Sequence, residues 1–198
     1  MEGLRAAARQ GEELGVTLCI EPLNRFETYF LNTQEDAARL VREVGAHNVR
    51  VHFDTFHANI EGRHPANSVR AISKELGHVH ISENDRGIPG TGHVDWRGVL
   101  TALKEIEYNG WMTIESFAEP GPELAAAAAI WRDLAPSGDE LARRRLQFIK
   151  SLSRKVGIWW TVTFNSLLFA YDSGHAPQAP WSAGAIAPAF FSPDHSKR

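Results

Sequence analysis

This sequence has four side chains that could bind a metal ion, and each lies at or just after the end of a short apolar segment. Glu21, Asp54 and Glu115 each come directly after an apolar run, and His80 lies near the end of a fourth run. Successive members are 26 to 35 residues apart, about the length of one strand–helix unit. Three carboxylates and one imidazole suit a hard or borderline divalent cation such as Mn²⁺, Mg²⁺ or Co²⁺, with coordination positions left for substrate oxygens.

Each of these side chains has a simpler explanation when it is considered alone. A carboxylate directly after a strand often caps a helix or lies in a loop, and a single histidine such as His80 is more often a hydrogen-bonded core residue. One candidate on each of four strands makes coincidence a poorer explanation. Three carboxylates buried together without a cation would be strongly unfavourable, so they are either solvated or accompanied by positive charge.

The segments that must position these residues alternate between strand and helix patterns. Asn32-Thr33 and Asp95 are predicted helix N-caps, and an alanine-rich helix is predicted over 123–134, with another after residue 139. The apolar spacing of Val69, Ile72 and Leu76 indicates a weaker helix. Strands that alternate with helices predict right-handed βαβ units and a parallel sheet, whose strand carboxyl ends meet on one face. Apolar runs predict strands at 15–20, 49–53, 78–81 and 111–114.

The composition is that of a globular domain and excludes several classes of function. The chain has 198 residues, of which 43% are hydrophobic, and a formal net charge of −3, which argues against disorder and against nucleic acid as the main partner. No apolar run reaches the roughly 18–20 residues of a membrane helix, so no membrane partner is expected. A single cysteine, Cys19, excludes an internal disulfide framework and predicts a cytoplasmic protein.

Four stretches of the chain resemble the metal-ligand stretches of the D-tagatose 3-epimerase family. That family includes the D-psicose (allulose) 3-epimerases and belongs to the xylose isomerase-like TIM barrels. The stretch from His80 to Trp96, HISENDRGIPGTGHVDW, is the most specific match. The resemblance covers about residues 1–154, and the other three stretches are IEPLNRFET at 20–28, DTFH at 54–57 and ESF at 115–117.

The resemblance implies a metal-dependent enzyme that inverts C3 of free keto sugars. We also expect the chain to form a homo-oligomer. The resemblance further implies that one divalent ion is held by Glu21, Asp54, His80 and Glu115. Mn²⁺ is the first choice for this ion, and Co²⁺ and Mg²⁺ are the alternatives. Glu21 and Glu115 would also be the catalytic acid–base pair. The family's substrate contacts correspond to Glu27, His57 and Arg86.

The chemistry of such a reaction fits these residue types. Inverting a carbon next to a carbonyl requires removal of its proton on one face and return of a proton on the other, which two flanking carboxylates can perform. A divalent ion bridging O2 and O3 would stabilise the developing cis-enediolate.

Some of the remaining residues also have ordinary explanations. His57 and Glu27 could be polar loop residues, and Arg86 could form a salt bridge with Asp85 or Glu83. The glycines of 87–92 fit a phosphate-binding loop or an ordinary turn.

The chain also departs from the family pattern. The four ligands come from the last four strands of the family's eight, so the resemblance predicts an α/β fold of the (β/α)₈ TIM-barrel type truncated to four βα units. We expect the half-barrel over residues 1–154 and an irregular, partly disordered tail over 155–198. Four strands cannot close a barrel, and the two sheet edges would be exposed. Either another chain pairs with the half-barrel, or the β-prone segment 159–164 covers one edge.

Several alternatives remain open at the level of sequence. Another xylose isomerase-like activity would use the same ligands: an aldose–ketose isomerase, a hydroxypyruvate isomerase or an inosose dehydratase. A zinc-dependent abasic-site endonuclease on the same barrel would need more histidine ligands and a basic surface, which the net charge of −3 disfavours. The non-enzymatic alternative is an inactive fragment or interaction module that keeps the ligands as a relic.

Overall fold

The computed structural model describes residues 1–117 and 120–158 in full, and the backbone of residues 160–163 and 190–193. Helices and strands alternate along most of this length, as the sequence predicts. The elements in chain order are α1 Glu2–Glu13, β1 Leu18–Ile20, α2 Gln34–Val44, β2 Val49–Asp54, α3 Thr55–Glu61, α4 Pro65–Ala71, β3 Leu76–Ile81, α5 Trp96–Glu105, β4 Met112–Ile114, α6 Pro122–Ala127, α7 Gly138–Val156, β5 Trp160–Thr163 and β6 Phe190–Pro193.

The strands form one sheet in the order β1-β2-β3-β4-β6-β5. Its first four strands are parallel and follow chain order, so each helical connection returns the chain to the same end of the sheet. This arrangement confirms the predicted α/β class with a parallel sheet. The carboxyl ends of β1 to β4 consequently lie side by side.

The two faces of the parallel strands differ sharply in chemistry. On β2, Val49, Val51 and Phe53 are at most 1% exposed and belong to the core packed under the helices. The alternate positions His52 and Asp54 project from the opposite face. The helix-covered face therefore holds the hydrophobic core, and the other face carries polar groups.

Helix caps set where the chain turns back towards the next strand. Thr33 caps α2 by accepting a hydrogen bond from the Asp36 amide, and Asp95 caps α5 in the same way through the Gly98 amide. Gly45 ends α2 in the left-handed conformation, at a φ of 75° that a side chain would strain. The predicted caps at Thr33 and Asp95 are confirmed.

Two predicted helices differ from the structure. The alanine-rich helix expected over 123–134 ends at Ala127, because α6 buries no residue and helix propensity alone seldom sustains a helix. Leu76, which we grouped with a helical stripe, is instead the first residue of β3. Its pairing with β2 outweighs the local apolar spacing.

The segment after residue 154 contributes two strands at one edge of the sheet. β6 pairs antiparallel with β4, and β5 pairs antiparallel with β6. Trp160–Thr163 thus lies beyond β6 rather than directly against the parallel sheet. The predicted disorder of the tail falls mainly on residues outside those described. Among the described residues, no helix combines the length and apolarity needed to cross a membrane.

Candidate metal and acid–base site

The four strand-end residues singled out in the sequence come together at one point of the sheet. His80 lies at their centre: its Nδ1 atom is 3.9 Å from Glu21 Oε1, 3.7 Å from Asp54 Oδ2 and 3.8 Å from Glu115 Oε1. The register explains this convergence, because Asp54 pairs directly with His80 and the Glu115 amide donates to the Ile81 carbonyl. Parallel strand ends therefore bring together residues 94 positions apart in the chain.

Asp54 serves both as a helix cap and as a member of this cluster. Its Oδ1 atom accepts hydrogen bonds from the amides of Phe56 and His57 at the start of α3, at 2.6 and 3.1 Å. Its Oδ2 atom has no hydrogen-bond partner and faces His80. Capping and metal binding are thus compatible in this one carboxylate, since each uses a different oxygen.

The atoms that face the middle of the cluster lack hydrogen-bond partners. Glu21 Oε1, Asp54 Oδ2 and His80 Nδ1 are all buried and unpaired, and ligand atoms of these three residues lie within 4.8 Å of one another. Unpaired buried carboxylate oxygens are costly, and a divalent cation would satisfy all three atoms at once. The donor set fits a hard or borderline cation.

The electrostatics of the cluster also favour a bound positive charge. Burial, followed by the nearby Glu115 carboxylate, raises the pKa of Glu21 to about 7. Burial, followed by the nearby carboxylates of Glu115 and Glu21, raises the pKa of Asp54 well above its usual range. Burial lowers the pKa of His80. Each shift favours the neutral form, and a bound cation would reverse this preference in the carboxylates.

Arg86 holds Glu115 from the side opposite His80. Its Nη1 atom donates to Glu115 Oε2 at 2.5 Å. Its guanidinium is 5% exposed and lies over the rings of Phe56 and Phe117, at 3.9 and 4.8 Å from their centroids. The salt bridges suggested for Arg86 with Asp85 or Glu83 are wrong, since Arg86 instead pairs with Glu115 and, at 3.6 Å, with Glu27.

His57 and Glu27 are joined to this group through Asn24. The backbone amide of Asn24 donates to His57 Nδ1 at 3.0 Å. The side-chain Nδ2 of the same residue donates to Glu27 Oε1 at 2.8 Å. His57 Nε2 lies 3.4 Å from Arg86 Nη2. Burial, followed by the Arg86 charge, lowers the pKa of His57 to about 4. The three residues that resemblance marked as substrate contacts thus form one connected group beside Glu115.

The glycine-rich loop wraps around a buried carboxylate. Glu83 is fully buried and accepts hydrogen bonds from the Gly90 and Val94 amides and from Trp96 Nε1, at 2.7, 3.1 and 2.8 Å. A side chain at position 92 would collide with it, because a Cβ there would lie 2.7 Å from Glu83 Oε1. The Gly90 amide of this stretch therefore binds a protein carboxylate, as does the Val94 amide just beyond it, and neither is free to bind a phosphate.

A second buried charge, Arg145 on α7, fixes the backbone beneath the site. Arg145 is fully buried and donates to the carbonyl oxygens of Glu115 and Arg86, each at 2.9 Å, and to that of Gly87. Burial lowers its pKa to about 9, which leaves the guanidinium charged at neutral pH. Helix α7 is thereby anchored to both loops that carry Glu115 and Arg86.

A cleft of about 660 Å³ opens beside the cluster, a size typical of small-molecule sites. Glu27 and Arg86 line it on the side of Glu115, whereas His57 and the four clustered residues themselves are not among its lining residues. Its other walls are largely apolar and include Phe26, Phe56, Ile60 and Trp131.

Sequence reasoning missed Asn24, Glu83 and Arg145. Asn24 and Glu83 lie inside the quoted motifs, yet nothing in their spacing distinguished them from ordinary loop residues. Arg145 sits in a run of three arginines, and only packing shows which of them turns inward. The signal in each case is burial of a polar group, a tertiary property.

Comparison with known proteins supports the resemblance. The family model described as xylose isomerase-like TIM barrel matches residues 1–151. The D-psicose 3-epimerase of Agrobacterium fabrum is 39% identical over 153 residues, covering 75% of this chain and 53% of the relative. The L-ribulose 3-epimerase of Methylomonas sp. is 39% identical over 149 residues, covering 74% and 52%.

A solved structure shows the same likeness in three dimensions. The D-allulose 3-epimerase from Methylomonas sp. in complex with D-allulose superposes with a TM-score of 0.72 at 39% identity, covering 75% of this chain and 52% of that protein. This chain spans about half the length of the relatives it matches.

Proposed function

The chain belongs to the xylose isomerase-like TIM barrel family, and on that premise we propose that it is a metal-dependent ketose 3-epimerase. One observation carries the proposal: three unpaired, buried ligand atoms from three neighbouring strand ends face one another beside Glu115. The relatives named as 3-epimerases support the choice of reaction within the family.

The proposed ligands are Glu21, Asp54, His80 and Glu115. Asp54 is held rigidly, since its other oxygen caps α3, and it would provide the fixed point of the site. A bound divalent cation would supply positive charge for the two sugar oxygens beside the reacting carbon. The oxygen-rich donor set supports Mn²⁺, with Co²⁺ or Mg²⁺ as substitutes.

Glu21 and Glu115 would move the protons. They follow β1 and β4, the outer strands of the four parallel ones, so a sugar lying over His80 would have one carboxylate on each side. One carboxylate would remove the C3 proton and the other would return a proton to the opposite face. Arg86 holds Glu115 in place through its 2.5 Å ion pair during this exchange.

His57, Arg86 and Glu27 would orient the sugar. The Asn24 amide donates to His57 Nδ1, which places the proton of a neutral ring on Nε2, next to an Arg86 N–H group. Both are donors, so a sugar hydroxyl that accepts from both would replace an unfavourable contact with two hydrogen bonds. Glu27 Oε1 would accept a hydroxyl proton at the edge of the cleft.

The test is epimerisation by the purified chain itself. The protein loaded with Mn²⁺ is incubated with D-fructose or D-tagatose in D₂O, and NMR follows the C3 epimer and deuterium at C3. We expect both signals, and we expect E21Q and E115Q to lose them, while E12Q at an exposed site retains them. A metal-loaded protein that produces neither epimer nor C3 deuterium would contradict the proposal.

We also propose that the chain acts as a homo-oligomer in the cytoplasm. Three aromatic side chains after β1, Phe26, Tyr29 and Phe30, are 62 to 97% exposed, and such clustered apolar exposure is typical of contact surfaces. The single cysteine is compatible with a reducing compartment. Light scattering of the purified chain and fractionation of its source cells test these two statements, and a monomer at micromolar concentration would contradict the first.

A further inference from the structure

We propose that His52, His78 and His80 form a second metal site, which takes a borderline cation such as Zn²⁺ or Cu²⁺. This site is built from imidazoles alone, in contrast to the carboxylate-rich cluster next to it. The two sites share His80.

Strand geometry brings the three rings together. His52 lies on β2, and His78 and His80 lie two positions apart on β3, so both of these project from the same face of the sheet. His52 is the direct register partner of His78. The ring centroids are 3.9 Å apart for His52 and His80, 4.9 Å for His52 and His78, and 5.2 Å for His78 and His80.

His52 has an unsatisfied nitrogen in this cluster. The residue is 8% exposed, and its Nε2 atom is buried without a hydrogen-bond partner. Burying a polar atom without a hydrogen-bond partner is unfavourable, because the atom loses its contact with water and gains nothing in return. A cation bound by the three rings would satisfy it.

The spacing and chemistry of the donors suit such a cation. One nitrogen from each ring lies within 4.8 Å of the others. Zinc–nitrogen bonds of about 2.0–2.1 Å place tetrahedral donors roughly 3.4 Å apart, so small rotations of the rings complete the site. Imidazole nitrogen favours Zn²⁺, Cu²⁺ and Ni²⁺ over Mn²⁺ or Mg²⁺, which prefer oxygen.

Sharing His80 makes the two sites compete. A Zn²⁺ ion bound through His80 Nδ1 would occupy the atom that faces Glu21, Asp54 and Glu115, and so would take the central ligand of the carboxylate cluster. Zn²⁺ should therefore displace Mn²⁺ without occupying the same set of ligands. This inference rests on the three rings and is independent of the proposed sugar chemistry.

Binding measurements on the whole chain separate the two sites. Zn²⁺ affinity is measured by competition with a chromophoric chelator, and Mn²⁺ affinity by electron paramagnetic resonance of the free ion. We expect H78A to weaken Zn²⁺ binding at least about tenfold and to change Mn²⁺ binding less than about twofold. D54N should do the reverse, H80A should weaken both, and H47A at an exposed position should change neither.

A spectroscopic measurement on the unaltered protein guards against misfolded variants. Cu²⁺ bound to the wild-type chain should show nitrogen hyperfine splitting from three imidazoles. The inference is overturned if Zn²⁺ affinity falls in D54N and not in H78A, or if the Cu²⁺ spectrum shows one nitrogen among oxygens. Either result would place the added cation, Zn²⁺ in the first case and Cu²⁺ in the second, in the carboxylate cluster and leave the proposed Mn²⁺ site unaffected.

Discussion

Replacing Arg145 tests whether a buried charge on α7 positions the site. In R145M the three carbonyl oxygens of Glu115, Arg86 and Gly87 lose their guanidinium donor. The Arg86 carbonyl keeps a hydrogen bond from the Ser116 hydroxyl at 2.8 Å. Two carbonyl groups are thus left without the donor that now satisfies them.

The expected loss of stability follows from these contacts. An unsatisfied buried acceptor costs about 1–3 kcal/mol, so two of them cost roughly 2–6 kcal/mol. Methionine relieves the penalty for burying a cation, which offsets part of that cost. We therefore expect the free energy of unfolding to fall by about 3 kcal/mol.

The assay pairs urea unfolding with Mn²⁺ titration. Because the affected carbonyls belong to Glu115 and Arg86, we expect Mn²⁺ affinity to fall about tenfold in protein that is still folded. R144M on the same helix is the matched control, since Arg144 is largely exposed and makes only a 3.9 Å ion pair with Glu140. A loss of stability with unchanged Mn²⁺ affinity would refute the positioning role, and an unfolding free energy equal to that of R144M would refute the whole argument.

Three further predictions concern other parts of the site. E83Q should lower the free energy of unfolding by about 2 kcal/mol, because the NH₂ group of glutamine would face N–H donors that now bind a carboxylate. The near-ultraviolet circular dichroism of Trp96, which donates to Glu83, should also weaken. An unchanged spectrum would contradict this role of Glu83. Because the pKa of His57 is lowered to about 4, this residue contributes stability that is present above pH 6.5 and lost as the pH falls towards 4, by about 3 kcal/mol at most. Glu21 and Asp54 have raised pKa values, so their contribution to stability changes with pH in the opposite direction. The contribution of His57 is therefore measured as the difference in unfolding free energy between wild type and H57Q from pH 7 to pH 4. Mn²⁺ at about 100 times its Kd should stabilise the wild type by about 2.7 kcal/mol in thermal melts, whereas D54N, which keeps the oxygen that caps α3, should show no such gain. Equal stabilisation of D54N by Mn²⁺ would exclude Asp54 as a ligand.

Much of the local structure could be predicted because it depends on neighbours in the chain. Thr33 and Asp95 cap their helices through amides three residues away, which a sequence pattern can indicate. The apolar runs predict the strands of the sheet because buried parallel strands need continuous hydrophobic side chains. The order of these elements then predicts the side of the sheet on which Glu21, Asp54 and Glu115 lie.

Other features escaped prediction because they depend on what a segment packs against. The alanine run after residue 124 has high helix propensity, yet its helix ends at Ala127 because it covers no core. Helix α3 has little apolar periodicity, yet it forms with Thr55, His57 and Ala58 buried against the rest of the fold. In both cases tertiary contacts outweigh local preference.

By itself, the sequence predicted which residues could carry chemistry, and it predicted that strand ends bring them to one face. The tertiary structure decided how each one serves. It assigned one oxygen of Asp54 to a helix and left the other free, and it paired Arg86 with Glu115 instead of Asp85. It also turned Arg145 inward while Arg144 stayed at the surface. The physical reason is that burial removes water as a partner, so each polar group must find a specific partner in the fold, and those partners are distant in the chain.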